Sequence, residues 1–454
     1  MNSGTNLIYT IPYSEWKSLF EMIPWLEEIE KIDSSETFTD HGGKRTRPLK
    51  YVRYKSASVQ LIGRSSKFFK PFAWKEWSEG IEMLKTERFN GIDLQTLCKL
   101  YTILAYYGGE REDNPSFGIP CTASIFEDGK ILKVLKAMKR EYTKVLKAER
   151  EKYVAYNKAD TEFAGYARLL QSRWREKKGY PIGKSDRGTE YGNYFDEKTA
   201  IQDKCNFMTP YIKELVTTEI KESKKSGALI SEPRIWTNML SSQPLCFNLF
   251  GELEKDMNLA TVFFSKIFPK AVKQVTQIKF EYNPFRSNPE FTGDRSAFDV
   301  FVEYLSVNNK KSFIGIEVKY TETLEEGAND VPHIYESHKE EYLRLSDSPV
   351  FKKECLPNLA HSPLFQIWRD HLLALSFLQN RIYEDGFFLF LFPYANEKCY
   401  NGVCKYCDQL YYSMSNFEDR RYFYWRDIEK FIRTLDEIID KPWTKEMIER
   451  YVGA

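Results

Sequence analysis

Several features that often reveal a protein's function are scarce or missing in this sequence. Only 5 of its 454 residues are histidines, and its 8 cysteines are too few for a disulfide framework in so long a chain. The motifs of P-loop NTPases, HExxH metalloproteases and GxSxG hydrolases do not occur. No apolar run is long enough to cross a membrane, and the start, MNSGTNLIYTIPYSEW, lacks the basic and apolar parts of a signal peptide. We therefore expect a cytoplasmic protein without membrane association.

The composition is that of a folded protein with more than one domain. Hydrophobic residues make up 42% and aromatic residues 15% of the chain, which is ample for packed cores. A chain of 454 residues is too long for one ordinary core, so we expect two or three domains. The formal net charge of +1 points to no partner, because clusters of opposite sign cancel in the sum. The charges must therefore be considered segment by segment.

Changes in the pattern of apolar and charged residues along the chain predict four regions. Residues 1–120 mix helical and strand-like stretches, and residues 121–230 form a basic helical region. In residues 231–410 the pattern predicts three strands followed by a helix. Residues 411–454 contain two amphipathic helices split at Pro442. We therefore expect an α+β protein in which a mainly helical N-terminal part precedes the region of strands, and in which the C-terminal helices pack on that region.

Hydrophobic periodicity places individual elements within these regions. Helices are predicted over residues 12–30, 74–84, 94–106, 130–178, 208–223 and 366–379. Strands are predicted over residues 44–63, 274–282, 298–305, 312–320 and 386–393. The predicted helix over residues 130–178 has no internal proline, and it carries fifteen Lys and Arg against six Asp and Glu.

Two basic segments are candidates for contact with a nucleic acid. In the first, Tyr51 and Tyr54 are interleaved with cationic side chains that could follow a phosphate backbone while the rings stack on bases or sugars. These cationic residues are Lys44, Arg45, Arg47, Lys50 and Arg53. A strand with one solvated basic face explains this run almost as well, and the basic helix over residues 130–178 has the same two explanations. Binding through either segment would be sensitive to salt.

The stretch AFDVFVEYLSVNNKKSFIGIEVKY, residues 297–320, carries charges in segments that otherwise look buried. Two apolar runs joined by a polar turn predict a β-hairpin. Side chains alternate between the two faces of a strand, so Glu317 and Lys319 share one face while Ile316 and Val318 point to the other. The hairpin can bring Asp299 alongside them. Two carboxylates and an ammonium group would then meet at one edge of the sheet.

Carboxylates that converge repel one another unless a cation lies between them. Mg²⁺ is typically held by one or two carboxylates together with waters and substrate phosphates. Such an ion binds a phosphate oxygen, lowers the pKa of a bound water and offsets the charge that grows on the leaving oxygen. Lys319 could orient the attacking water, help to deprotonate it or pair with the same phosphate. The pattern therefore predicts metal-assisted hydrolysis of a phosphodiester bond.

Asp299 and the Glu317-x-Lys319 triplet resemble the signature of the PD-(D/E)XK, or restriction-endonuclease-like, nuclease superfamily. The resemblance implies a mixed β-sheet flanked by helices, with Mg²⁺ (or Mn²⁺) as cofactor and DNA as the commonest substrate. Phe298 stands where the name-giving proline would precede the Asp, but that proline is not a ligand. The order of elements over residues 243–394 extends the resemblance to about a third of the chain.

The resemblance also implies roles for residues outside the hairpin. Glu252, on a helix upstream of the strands, matches a position that often supplies a further acidic ligand, although an ordinary surface carboxylate explains it nearly as well; Glu281 is an extra candidate. Gln366 matches a polar residue that faces the site from a later helix, where Arg369 would contact phosphate and His371 is a further candidate. The implied catalytic residues are Asp299, Glu317, Lys319, Glu252 and Gln366, and the implied metal ligands among them are Asp299, Glu317 and Glu252. The alternative for the Glu317 and Lys319 pair is an ion pair on a solvated strand face.

Cys399, Cys404 and Cys407 are the only clustered cysteines. Their spacing is similar to that of zinc knuckles and of plant-type iron–sulfur ligands, so a zinc or iron–sulfur site is one interpretation. A fourth ligand would have to come from elsewhere in the chain, from Cys355, His361 or Cys246. Three unpaired thiols are the other interpretation.

Together these patterns favour a metal-dependent endonuclease that acts on DNA, with RNA left open as a substrate. A role in restriction or anti-phage defence is implied by the resemblance alone. One alternative is a non-cleaving nucleic-acid-binding or assembly subunit that retains the nuclease fold. Another is a nuclease that stays latent until a partner protein activates it. A homo-oligomer is also compatible with the sequence, which discloses neither the target sequence nor the strand preference.

Overall fold

The computed structural model of the chain describes residues 3–33, 35–39, 46–64, 74–86, 88–106, 129–226, 230–325, 328–411 and 422–453. Contacts between residues divide the chain into two compact units. The first unit comprises Met1–Lys152 with Gly453–Ala454, and the second comprises Tyr153–Val452. This division falls at none of the boundaries expected at residues 120, 230 and 410, and the four-region organisation stays a prediction.

The first unit is mainly helical in the part that the structure describes. A short antiparallel pair of strands, β1 (Thr37–Thr39) and β2 (Thr46–Pro48), accompanies the helices. The helices are α1 (Ser3–Thr10), α2 (Tyr13–Phe20), α3 (Met22–Glu30), α4 (Leu49–Arg64), α5 (Trp74–Thr86), α6 (Leu94–Tyr106) and α7 (Lys130–Lys152).

The basic segment predicted as a strand over residues 44–63 is mostly helical. Among its described residues only Thr46–Pro48 form a strand, and α4 begins directly after it. Tyr54, Ala57 and Leu61 are fully buried in α4 at helical spacing, which is why this segment packs as a helix. The strand prediction was wrong because the apolar residues recur every three to four positions and not every second one.

The single long helix predicted over residues 130–178 is two helices. After α7 ends at Lys152, Val154 has a positive φ of 52°, which no helical residue adopts. The second helix, α8 (Glu162–Lys177), begins at Thr161, whose side chain accepts a hydrogen bond from the Ala164 N–H. The break lies within a stretch without proline, so the absence of proline was not enough to predict continuity.

A five-stranded sheet forms the centre of the second unit. Its strands are β5 (Val272–Tyr282), β6 (Phe298–Ser306), β7 (Lys311–Val318), β8 (Asp385–Phe392) and β9 (Phe423–Asp427), and they lie in that order across the sheet. The first three are antiparallel, whereas β8 runs parallel to β7 and β9 parallel to β8. The predicted hairpin of β6 and β7 and the predicted strand at β8 are therefore present.

The second unit also contains helices and a small hairpin. The hairpin is β3 (Ile182–Lys184) with β4 (Glu190–Phe195). The helices before the sheet are α8, α9 (Glu197–Asp203), α10 (Pro210–Ser226), α11 (Arg234–Thr237), α12 (Ser242–Lys255) and α13 (Met257–Ile267). Those within and after it are α14 (Val331–Ser337), α15 (Lys339–Ser346), α16 (Leu356–Leu359), α17 (Phe365–Gln379), α18 (Glu397–Cys407), α19 (Ile428–Ile439) and α20 (Pro442–Met447), and short 3-10 and π segments cover Lys353–Cys355 and Ile448–Val452.

The C-terminal tail differs from its prediction in one element. The stretch FYWRD (Phe423–Asp427), in the tail for which two helices are predicted, forms the edge strand β9 and pairs with β8. The two helices that follow are split at Pro442 as predicted. The tail therefore completes the central sheet.

The predicted fold class is confirmed. The second unit is a mixed sheet with helices packed on it, and an aromatic core fills the space between α17 and the strands, where Phe298, Phe301, Phe313 and Phe377 are fully buried or nearly so. No helix in the described part of the chain combines the length and the apolar character needed to cross a membrane.

Candidate active site on the central sheet

Three carboxylates occupy one row across the central sheet. Val300 of β6 lies opposite a residue of β5 on one side and a residue of β7 on the other. The next position along each strand, toward the same end of the sheet, carries an acidic residue: Glu281, Asp299 and Glu317. Like charges directly opposite each other destabilise a sheet, so this row is unusual for a purely structural arrangement.

The backbone of Glu281 departs from regular strand geometry. Its φ is +46°, a left-handed conformation that is uncommon for a residue other than glycine. Such backbone conformations persist only where the surrounding structure enforces them. The departure lies where β5 would otherwise pair with β6 at Asp299.

Hydrogen bonds fix one oxygen of each carboxylate in the Asp299 and Glu317 pair. The Val318 N–H donates to Asp299 Oδ2 at 2.7 Å. Glu317 Oε1 accepts from Lys319 Nζ at 2.8 Å and from Gln366 Nε2 at 2.7 Å. Asp299 Oδ1 and Glu317 Oε2 accept no hydrogen bond from the residues that the structure describes. The structure therefore brings Asp299, Glu317, Lys319 and Gln366 together and leaves one oxygen of each acid available.

The charges of this cluster act strongly on one another. Burial, reinforced by the charges of Glu317 and Glu281, raises the pKa of Asp299 well above its ordinary value. Burial also raises the pKa of Glu281 to about 7, and the charge of Glu317 adds to the effect. Burial acts to lower the pKa of Lys319, but the charges of Glu317 and Asp299 outweigh it and hold this pKa above its ordinary value. The site therefore favours bound cations, including the ammonium group of Lys319.

Helix α12 reaches the cluster with its first turn and not with Glu252. Gln243, in that first turn, donates to Glu281 Oε1 at 3.1 Å. Glu252 follows nine residues later, about 13.5 Å further along the helix axis. Its carboxylate accepts a hydrogen bond from Thr209 and lies 3.9 Å from Lys255 Nζ. The expectation that Glu252 joins the acidic pair is not met, because the helix carries it away from the strands.

One face of α17 is directed toward the site. Gln366, Arg369 and Asp370 are spaced so that they share this face. The guanidinium of Arg369 lies 3.6 Å from Asp294, in the loop between β5 and β6. Asp370 is buried, its Oδ2 has no hydrogen-bond partner among the described residues, and burial together with the charge of Glu317 raises its pKa.

Sequence reasoning missed Asp370 and Asp294. The four-residue spacing from Gln366 could have indicated Asp370, since both must lie on one helix face. No local pattern marks Asp294, which meets Arg369 only through the fold. His371, the further phosphate candidate, is fully buried and its Nδ1 lies 2.8 Å from the Tyr406 hydroxyl, so it belongs to the core and cannot meet a substrate.

A divalent cation fits the Asp299 and Glu317 pair. Carboxylate oxygens are the ligands that Mg²⁺ prefers, and a divalent ion relieves the repulsion between two carboxylates that lie side by side. Within the described ranges no group of three or more His, Cys, Asp and Glu side chains is arranged to hold a metal ion. A cation here would therefore rely on two carboxylates, with water and substrate oxygens completing its shell.

The cysteine cluster offers no metal centre of the expected kind. Cys399, Cys404 and Cys407 lie on α18, where Cys399 is buried, Cys404 exposed and Cys407 half-buried. Cys399 and Cys404 are five positions apart on a helix, which turns their side chains in widely different directions. The zinc or iron–sulfur expectation is not supported, because a helix does not let these three thiols converge.

The basic residues predicted to bind nucleic acid have unequal surroundings. Lys44 and Arg45 lie outside the described residues. Arg47 and Arg53 are exposed, whereas Lys50 Nζ lies 3.1 Å from Glu30 Oε2. Tyr54 is fully buried and cannot stack on a base. Nucleic-acid binding by the cationic residues stays a prediction.

Comparisons with known proteins agree with this geometry. The family model of the PD-(D/E)XK nuclease superfamily matches residues 158–453, nearly the whole second unit. A second model, of a family of unknown function (DUF6508), matches residues 11–144 in the first unit. Neither the curated proteins nor the solved structures contain a significant match. Members of the superfamily are generally nucleases, which supports a nuclease-like function. Because the first match spans well over half of the chain and contains the acidic pair, the chain belongs to the PD-(D/E)XK nuclease superfamily.

Proposed function

We propose that this protein is an endonuclease that hydrolyses phosphodiester bonds in DNA with Mg²⁺ or Mn²⁺ as its cofactor. The observation that carries the proposal is the pair of opposed carboxylates, Asp299 and Glu317, each with one oxygen held by a donor and one oxygen left available. A pair retained only as a scaffold would gain nothing from keeping like charges together, since their repulsion costs stability.

Each residue of the cluster has a role in this proposal. Asp299 and Glu317 hold the metal ion, which when bound would polarise a phosphate oxygen and lower the pKa of a water molecule. Lys319 orients Glu317 and places a positive charge beside the phosphate. Gln366 holds Glu317 in the same orientation through its side-chain amide. Glu281 contributes negative charge that strengthens the attraction for a cation.

DNA as substrate, and a role in restriction or anti-phage defence, rest on family resemblance. RNA stays open because no residue of the cluster distinguishes a ribose from a deoxyribose. Exposed cationic residues of the first unit, such as Arg47 and Arg53, would add affinity that does not depend on sequence, since phosphate contacts release counterions.

The decisive experiment compares two glutamate variants on neighbouring strands. Glu317→Gln removes the charge from the proposed metal ligand, whereas Glu303→Gln changes a half-buried glutamate of β6 whose carboxylate accepts from the Tyr383 hydroxyl at 2.7 Å. Purified proteins are incubated with Mg²⁺ and with duplex DNA, single-stranded DNA or RNA. We expect Glu317→Gln to lose more than about 100-fold in cleavage rate and Glu303→Gln to retain most of it. Equal rates in all three proteins, or no cleavage of any substrate, would contradict the proposal.

A nuclease that is latent until activated is the second candidate. The separate family match over residues 11–144 favours it, because a distinct first unit could respond to a partner protein. A chain that begins at Tyr153 should then cleave faster than the full-length protein under the same conditions. An equal or lower rate, in a preparation whose folding is confirmed by circular dichroism, argues against latency.

A further inference from the structure

Asp294 is an anchored anion in the loop that joins β5 to β6. It is nearly fully buried, and it accepts four hydrogen bonds: from Thr292 Oγ1 at 2.7 Å, from the Ser296 N–H at 3.0 Å, from Ser296 Oγ at 2.6 Å and from the Tyr342 hydroxyl at 2.7 Å. Burial acts to raise the pKa of Asp294, but the charge of Arg369 and these donors outweigh it and lower the pKa. The carboxylate is therefore charged and held in one place.

Arg369 lies close to this carboxylate, but the contact does not occupy the hydrogen-bond donors of its guanidinium. Its Nε lies 3.6 Å from Asp294 Oδ2, which is a charge contact but too long for a hydrogen bond. The guanidinium, which has five N–H donors, makes no hydrogen bond to any residue that the structure describes. Its carbon lies 5.8 Å from the ring centre of Phe365, and a quarter of the side chain is exposed. The side chain is thus positioned, charged and rich in unused donors.

The position of Arg369 places these donors beside the acidic pair. Gln366, one helical turn earlier on the same face of α17, donates to Glu317. Burial acts to lower the pKa of Arg369, but the charges of Asp370 and Asp294, with a smaller contribution from Glu317, outweigh it and raise this pKa. An arginine that served only to pair with Asp294 would be expected to make the bidentate hydrogen bonds that such pairs usually form. Because the contact between Arg369 and Asp294 is longer than a hydrogen bond, the guanidinium donors of Arg369 are available to another anion.

We infer that Arg369 and Asp294 form a preformed phosphate-binding subsite, in which Arg369 contacts a phosphodiester group of the substrate near the one to be cut and Asp294 acts as its positioning residue. The inference rests on the proposed function, because the polynucleotide supplies the phosphate. The planar guanidinium fork matches two oxygens of a phosphate group. Because Asp294 holds the guanidinium in place before the substrate binds, less conformational entropy is lost on binding.

The test measures DNA affinity as a function of salt, with EDTA present so that no cleavage occurs. A fluorescent duplex is titrated with the full-length protein and with Arg369→Gln, Arg369→Lys, Asp294→Asn and Arg381→Gln. Arg381 is an exposed arginine just beyond the end of α17, so Arg381→Gln is the matched control. We expect Arg369→Gln to bind about tenfold more weakly and to reduce the slope of log Kd against log salt by about one. Arg369→Lys should keep the charge but lose part of the affinity.

Asp294→Asn separates positioning from simple electrostatics. Removing a negative charge should by itself strengthen binding to a polyanion, whereas a positioning role predicts weaker binding. The inference is overturned if Asp294→Asn binds as tightly as the wild type or more tightly, or if Arg369→Gln behaves like Arg381→Gln. If Asp294→Asn does not fold, as judged by thermal unfolding, the two Arg369 variants and the control decide alone. A protein that binds DNA in this manner but never cleaves it would refute the proposed function and leave the subsite standing, and a protein that binds no DNA would refute both.

Discussion

Gln366 Nε2 and Lys319 Nζ donate hydrogen bonds to the same oxygen of Glu317, at 2.7 and 2.8 Å. Because both donors approach Oε1, the carboxylate cannot rotate without losing two charge-assisted hydrogen bonds. Its other oxygen, Oε2, is thereby kept in a constant direction. Outer partners of this kind orient metal ligands in proteins and tune their affinity.

Replacing Gln366 by methionine should weaken metal binding. Gln366→Met keeps a similar volume but removes the donor to Glu317, so the carboxylate gains rotational freedom. We expect the affinity for Mn²⁺, measured by calorimetry, to fall about tenfold. Gln379→Met, at the other end of α17, is the matched control because Gln379 donates to the Leu345 carbonyl and not to the site. Unchanged affinity in Gln366→Met would show that the hydrogen bond does not orient a ligand.

Neutralising Glu281 should stabilise the metal-free protein at high pH. Burial and the charge of Glu317 raise the pKa of Glu281 to about 7, above the ordinary 4.5. The folded protein therefore binds this proton more tightly than the unfolded chain, so the free energy of unfolding decreases as pH rises from 4.5 through about 7. In EDTA, Glu281→Gln should be more stable than the wild type by about 1 kcal/mol at pH 8 and should differ little at pH 4.5.

The same variant should respond less to metal. Mg²⁺ relieves the repulsion within the wild-type cluster, so the rise in melting temperature on adding Mg²⁺ should be larger for the wild type than for Glu281→Gln at pH 8. Melting temperatures with EDTA and with Mg²⁺ at both pH values measure this difference. If the melting temperatures of the two proteins depend on pH in the same way, Glu281 does not interact electrostatically with Asp299 and Glu317.

The cysteines should behave as separate thiols. Cys404 is exposed, whereas Cys399, Cys205 and Cys246 are buried, and burial raises the pKa of Cys205 to about 11. A thiol reagent added to the native protein should modify Cys404 rapidly and the buried cysteines, which include Cys98, only after unfolding. Elemental analysis of the purified protein should find no stoichiometric zinc or iron. A bound metal, together with protection of Cys404, would restore the interpretation as a metal centre.

Arg47 and Arg53 should contribute to DNA affinity more than Lys50 does. Both arginines are exposed, while the ammonium of Lys50 is already 3.1 Å from a carboxylate oxygen of Glu30. We expect the double variant Arg47→Gln and Arg53→Gln to reduce the slope of log Kd against log salt by one to two. Lys50→Gln should change it by less. A double variant that binds like the wild type would indicate that this basic surface is merely solvated.

Local patterns predicted the elements that lie at the centre of the site. The predicted strands over residues 298–305, 312–320 and 386–393 agree with β6, β7 and β8 to within two residues at each end. These strands have strongly apolar or alternating sequences, and this pattern can be recognised without knowing which other elements pack against them. The prediction over residues 44–63 failed because the buried residues recur at the spacing of a helix and not of a strand, and the prediction over residues 130–178 failed because the helix breaks without a proline.

The sequence by itself determined that Glu317 and Lys319 share one face of a strand, because that follows from the geometry of two residues in a single extended segment. Only the tertiary structure decided which other groups join them. The pairing of β5 with β6 brings in Glu281, the packing of α17 brings in Gln366 and Arg369, and the length of α12 carries Glu252 away. The physical reason is that strand register and helix packing depend on residues far apart in the chain, whereas alternation within a strand depends only on the nearest neighbours.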